Sequence, residues 1–161
     1  MDLSIIPKTI AASIEDTFQT MSGSKASILE ISSEWENSQA YAIDIMSVLG
    51  LSSAALSGSI SLGFPKQTYL PLIEKILGEK HESINRENAD ACAEILNIIY
   101  ASARAKINPH GFDFQPAIPT TLIAKALDIS LNEGCKSMKI KCASDCGDFF
   151  VILALKRNGQ K

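Results

Sequence analysis

Three side chains able to do chemistry stand at helical spacing near the middle of the chain: Asp90, Glu94 and Asn97, within Ser83 to Ile107, SINRENADACAEILNIIYASARAKI. At about 100° per residue, these three and Ala101 fall within roughly 40° of one line. Cys92, Ile95, Leu96, Ile99 and Ala103 crowd the opposite side. A carboxylate accepts hydrogen bonds or pairs with a cation, and a carboxamide donates and accepts at once without changing its protonation state. Set one turn apart and followed by the small Ala101, they leave room for another macromolecule's backbone to approach and meet both groups. The same stripe is also what an ordinary solvated helix face looks like, and spacing alone does not choose between the two.

The element that positions these groups is one long amphipathic helix. Ser83 or Asn85 can cap its start by accepting from the free amides of the first turn, with Glu87 near the positive end of the dipole. Asn108-Pro109 ends it, because a residue before proline avoids the helical well. A first helix is predicted over residues 4–22, with Ile10, Ile14, Phe18 and Met21 on a buried stripe and Gly23 as its stop. SKASILEISSEW reads as a short strand, with Trp35 in core or interface packing. QAYAIDIMSVLGLSS and AALSGSISLGF read as two strands. The small residues of the second, Ala54, Ala55, Ser57 and Gly58, suggest a sheet pressed closely by a helix or by another chain. A helix over residues 67–77 follows, with Leu70, Ile73 and Leu77 inward, Pro71 in its first turn and Gly78 at its end. Residues 122–131 read as a short helical or mixed segment. KSMKIKCAS and CGDFFVILALKR form a closing hairpin, in which FFVILAL is a strand buried on both faces.

The chain has 161 residues, enough for one α/β domain with a substantial core, so a single domain over 1–161 is expected. With 46% hydrophobic and 20% charged residues it is rather apolar, which points to exposed apolar surface or a subunit interface and makes a dimer the expectation. A net charge of −3 offers no basic field for nucleic acid or an anionic membrane. With Asp2 and no basic stretch before an apolar run, no secretory signal is expected, and no apolar run reaches the roughly 20 residues a membrane helix needs. A cytosolic protein is expected. The four cysteines, Cys92, Cys135, Cys142 and Cys146, show no CxxC pairing and are expected to be reduced packing thiols, with no metal site. His81 reads as a solvated loop residue. His110 could serve as a general base in principle, but no nucleophile stands beside it.

The order Asp90-x3-Glu94-x2-Asn97, followed by Gly111 and Pro119 in GFDFQPAIPTTLIAKAL, resembles the signature of the CheC/CheX/FliY chemotaxis phosphatases, in particular the CheX branch with its one central motif. Here Ala101 stands where relatives tend to carry glycine, and Pro119 lies one residue nearer the asparagine. The resemblance spans most of the chain. It implies a CheC-like α/β (α+β) fold, a mostly antiparallel sheet packed by two long helices and one or two shorter ones. It also implies a homodimer, through sheet or hairpin contacts.

The activity implied is hydrolysis of the aspartyl phosphate of a CheY-type receiver. Asn97 would hold the attacking water in line, as a glutamine amide does in GTPases. Glu94 would pair with the receiver's lysine, Asp90 would set the edge of the site, and Ala101 and Pro119 would meet the partner. Magnesium would belong to the receiver, so no cofactor is expected here. Motifs of self-contained enzymes, such as GxxxxGK[ST], GxGxxG after a strand, GxSxG and HExxH, are absent. The alternative is a non-catalytic docking module that binds a receiver or another chemotaxis or motor component through the same helix face.

At an offset of 79 residues Glu15, Lys25, Ala26 and Ile28 align with Glu94, Arg104, Ala105 and Ile107, an echo of a duplicated unit. Phe18 takes the slot of Asn97, so the first copy should be structural.

Overall fold

Apolar stripes select the layers. The computed structural model describes residues 1–33, 43–125 and 135–159. Along the chain run α1 (Ile5–Ser22), β1 (Ala26–Ser32), β2 (Ile45–Ser52), β3 (Leu56–Phe64), α2 (Lys66–Leu77), α3 (Arg86–Ile107), a 3-10 turn at Asn108–His110, β4 (Thr120–Ile123), β5 (Lys136–Ser144) and β6 (Gly147–Arg157). The strands form one six-stranded sheet in the order β1-β5-β6-β3-β2-β4, and every pairing is antiparallel. This is the α+β arrangement expected, with α1 and α3 as the long helices.

Helix α3 packs on α1 and on β2 and β4. Its buried residues Cys92, Ile95, Leu96, Ile99, Ala103 and Ile107 join Ile6, Ile10, Ile14 and Phe18 of α1 in one core. From the sheet come alternate residues, among them Leu49, Leu62, Phe64, Phe149, Val151 and Leu153, as strand pleating requires. Phe18 stacks on Phe149 at 4.5 Å, and Phe149 on Phe64 at 5.3 Å. On the opposite side of β6, Ile152 and Ala154 are buried too, so FFVILAL is indeed a strand enclosed on both faces.

Read from either edge the sheet has the same plan. A long helix leads to an edge strand, α1 to β1 and α3 to β4, and each half of the chain then supplies a hairpin, β2–β3 or β5–β6. Each edge strand pairs with the other half's hairpin, β1 with β5 and β4 with β2. This topology matches the repeat heard in the sequence. In the first copy, Phe18 is buried where Asn97 of the second is exposed.

Some expectations are corrected. Pro71 lies in the middle of α2 rather than its first turn; the carbonyl of Gln67 that loses its partner is on the exposed side, where water can serve it. Leu77 is exposed and Tyr69, Leu72 and Ile73 face inward, because the buried line of α2 runs along Thr68 and Leu72. The tight approach at Gly58 comes from the neighbouring strand rather than a helix: a β-carbon there would collide with the carbonyl oxygen of Ala154 on β6. Leu122 and Ile123 belong to β4 rather than to a helical or mixed segment, while residues 126–131 of that expectation, like Trp35 and Tyr41, lie outside the described residues. His81 is half-buried rather than solvated, and its Nε2 is enclosed without a partner among the described residues.

All four cysteines are free, and burial pushes the Cys92 and Cys142 thiols from 9.0 up to about 12. In the folded chain both keep their protons at a pH where the unfolded chain has lost them. Stability should therefore fall as pH rises from near 9.0 towards 12, a slope visible in urea titrations and reduced in a Cys92→Ala/Cys142→Ala double variant. The core itself is tested by Ile95→Asp, which puts a charge where exposure is 1%. It should lower unfolding free energy by about 4 kcal/mol or more, whereas Asn97→Ala should stay within about 0.5 kcal/mol, both read by denaturant melts.

Candidate functional site

The start of α3 is built by two asparagines. Asn85 accepts from the amides of Glu87 and Asn88, and Asn88 returns the bond by accepting from the Asn85 amide, a reciprocal cap. The buried Asn88 amide group also donates to the Ser83 carbonyl at 2.8 Å, tying the preceding loop to the helix. One turn on, the Tyr69 hydroxyl of α2 donates to the Asn88 carbonyl at 2.6 Å and accepts from the Cys92 amide at 3.0 Å. Burial pushes this hydroxyl's pKa up, so it stays neutral and can make both bonds.

The far end of α3 is pinned as well. Tyr100 donates to the Gln115 carbonyl at 2.6 Å, Asn108 bonds both ways with the Phe114 backbone, and the Gln115 amide reaches Ser52 at the end of β2. Gly111, at φ 87°, makes the reversal that a residue with a side chain would resist. The loop then returns to β4, which pairs with β2 and packs on α3.

The sequence-derived residues are distributed along this frame as follows. Asp90, Glu94, Asn97 and Ala101 are all exposed, and the apolar positions opposite them are buried. Asp90 and Pro119, 29 residues apart in sequence, line one shallow open groove with Arg86, Ala93, Thr121 and Ile123. Glu94 and Asn97 lie outside that groove on the next turns of the stripe, and Ala101 is farthest along, about 16 Å from Asp90 by helical rise. Among the described residues, no hydrogen bond or ion pair engages the side chains of Asp90, Glu94 or Asn97. Two acceptors and an amide are thus held open on a helix whose backbone is fixed at both ends. His110 is exposed past the other end of α3, in a hollow with Asp2 and Lys8, away from the stripe.

Sequence reasoning missed the rim of the groove. Arg86 lies four residues before Asp90, so the same periodicity extended one turn back finds it. Ile118 and Ile123 are 91% and 47% exposed, beside Pro119 and at the end of β4. Their only signal is apolar residues in a stretch too short to show alternation.

Residues 45–143 match the family model described as chemotaxis phosphatase CheX. Several solved structures share the fold across nearly the whole chain. The CheX of Vibrio vulnificus is 23% identical, with a TM-score of 0.83 over 92% of this chain and 97% of that one. The CheX of Desulfovibrio desulfuricans is 25% identical, with a TM-score of 0.81 over 94% and 99%. The CheX of a CheX-CheY complex with BeF3 and magnesium from Borrelia burgdorferi is 17% identical, with a TM-score of 0.72 over 94% and 97%. No curated protein matches the sequence. A family match over more than half the chain, with the acidic and amide groups exposed on a buried-backed helix, leads to one conclusion: this chain belongs to the CheX family of chemotaxis phosphatases.

Proposed function

We propose that this protein accelerates hydrolysis of the aspartyl phosphate on a CheY-type receiver in the cytoplasm. The observation that carries the reading is the exposed pair Glu94 and Asn97, one turn apart and without partners among the described residues, on a helix anchored at both ends. Family membership and the CheX-CheY complex among the structural relatives support the choice of partner.

Hydrolysis of an acyl phosphate breaks the phosphorus–oxygen bond to a carboxylate, which leaves without needing a proton. What the reaction lacks is a water held in line with phosphorus. The Asn97 carboxamide supplies that order, its oxygen accepting from the water while its N–H donates to a phosphoryl oxygen. Because the side chain is short, the helix must carry it into the partner's site, and the small exposed Ala101 one turn on permits the approach.

Glu94 forms a charge-assisted pair with the receiver's lysine and sets the docked orientation. Asp90, Pro119 and the exposed Ile118 and Ile123 give the edge of the interface, carboxylate beside apolar surface. Magnesium stays on the receiver, and this chain brings no cofactor. Helices long and apolar enough to cross a membrane are absent among the described residues.

Asn97→Ala should leave affinity for a phosphorylation-mimicking receiver unchanged and abolish most of the accelerated phosphate release, since it removes a contact made in the transition state. Glu94→Ala should weaken the complex by about 1–3 kcal/mol, and Glu94→Lys by more, measured by titration calorimetry. Full phosphatase activity in a folded Asn97→Ala protein would overturn the role given to Asn97, whereas native protein that binds a receiver without accelerating phosphate release would be a docking module instead. We further propose a homodimer, in keeping with the apolar composition. Sedimentation at about 20 μM should give twice the chain mass, and a monomer at that concentration refutes the assembly.

A further inference from the structure

We propose that Tyr69 is a positioning residue for the partner-facing side of α3: its hydroxyl holds open the rung between the Asn88 carbonyl and the Cys92 amide and so sets the direction of the turn bearing Asp90. The inference rests on the receiver-phosphatase reading above for its functional half. An α-helix pairs residue i with residue i−4, and Asn88 and Cys92 are such a pair. The Tyr69 hydroxyl bonds to both of them, at 2.6 and 3.0 Å, and a side chain placed on a rung is one of the few causes of a local bend.

The hydroxyl is not free to follow the helix. Tyr69 is 0% exposed, and its ring lies 5.5 Å from Phe64, itself stacked in the aromatic group with Phe149 and Phe18. The start of α2 is fixed too, because the Asp44 carboxylate accepts from the Lys66 amide at 2.7 Å. The core therefore dictates where the oxygen sits, and α3 adjusts to it.

Either side of the rung, α3 is held separately. Beyond Cys92 it is seated by Ile95, Leu96 and Ile99, and the Asn85–Asn88 cap holds the turn before it. Asp90 stands between, on the exposed side, with Glu94 and Asn97 on the seated part. The angle at the rung thus sets Asp90 and the groove it shares with Pro119 against the two groups assigned to pairing and hydrolysis. Phenylalanine would fill the same space and let the helix close its own bond, so the hydroxyl is unnecessary for folding and its effect falls on shape.

The test uses Tyr69→Phe in the full chain, with two readouts. In the native protein, NMR should show no scalar coupling across a hydrogen bond from the Cys92 amide to the Asn88 carbonyl; in Tyr69→Phe that coupling should appear. With phosphorylated receiver as substrate, Tyr69→Phe should raise KM roughly tenfold while kcat stays within about twofold, the converse of Asn97→Ala. A coupling already present in the native protein overturns the proposal, and this measurement stands even if the variant does not fold. An unchanged KM in a folded Tyr69→Phe protein overturns it as well. Native protein that accelerates no receiver's dephosphorylation defeats the phosphatase reading instead, and the coupling still decides the open rung.

Discussion

The contact of α3 with the sheet and α1 is the constraint on which the rest depends. Cys92, Ile95, Leu96, Ile99, Ala103 and Ile107 are all at or below 3% exposure, and each large apolar side chain so buried contributes on the order of 2 kcal/mol. That burial lets the opposite face do something other than fold the protein. A helix stabilised only by its own polar side chains would have needed Asp90 and Glu94 in internal pairs. Here the apolar side holds the element in place, so the polar side can keep two carboxylates and an amide unengaged among the described residues. Rigidity and availability come from the same 22 residues.

The two halves of the fold show how little separates a helix whose matching position is buried from one that presents a polar group to solvent. Both long helices lead into edge strands and lie against one core, and the sheet order repeats from either side. The difference is local chemistry: Phe18 stacks on Phe149, while Asn97 faces solvent. An aromatic ring at that position adds to the core and leaves nothing for a partner. The plan of the sheet accommodates either outcome, so the fold alone does not reveal which helix carries the site.

Much of this was legible in the sequence where a pattern was long. The long periodicity of α3, a cap at Ser83 or Asn85 (Asn85 in the structure) and its end before Pro109 sufficed to place Asp90, Glu94, Asn97 and Ala101 on one exposed line. Short patterns failed. β4 has four residues, mostly exposed, and offers no alternation to read. In α2 the apolar Leu77 at the last turn shifted the inferred phase away from Tyr69. Long-range contacts were out of reach for a different reason. That Pro119 borders the same groove as Asp90, or that Asp44 serves the start of α2, depends on the path of the chain between elements, which local periodicity does not encode.

The exchange of edge strands between halves also governs the order in which the molecule can be made. Among the described residues β1 pairs with β5, Ala26 opposite Ser144, so the first strand leaves the ribosome long before this neighbour is synthesised. Until then α1 and the β2–β3 hairpin present apolar surface with no second half to cover it. The pairings that join the two halves, β1 with β5, β3 with β6 and β4 with β2, link residues far apart in sequence and so form slowly. The nascent chain must be kept from other chains during that interval. This is the cost of an architecture that welds two similar halves into one sheet instead of setting them side by side.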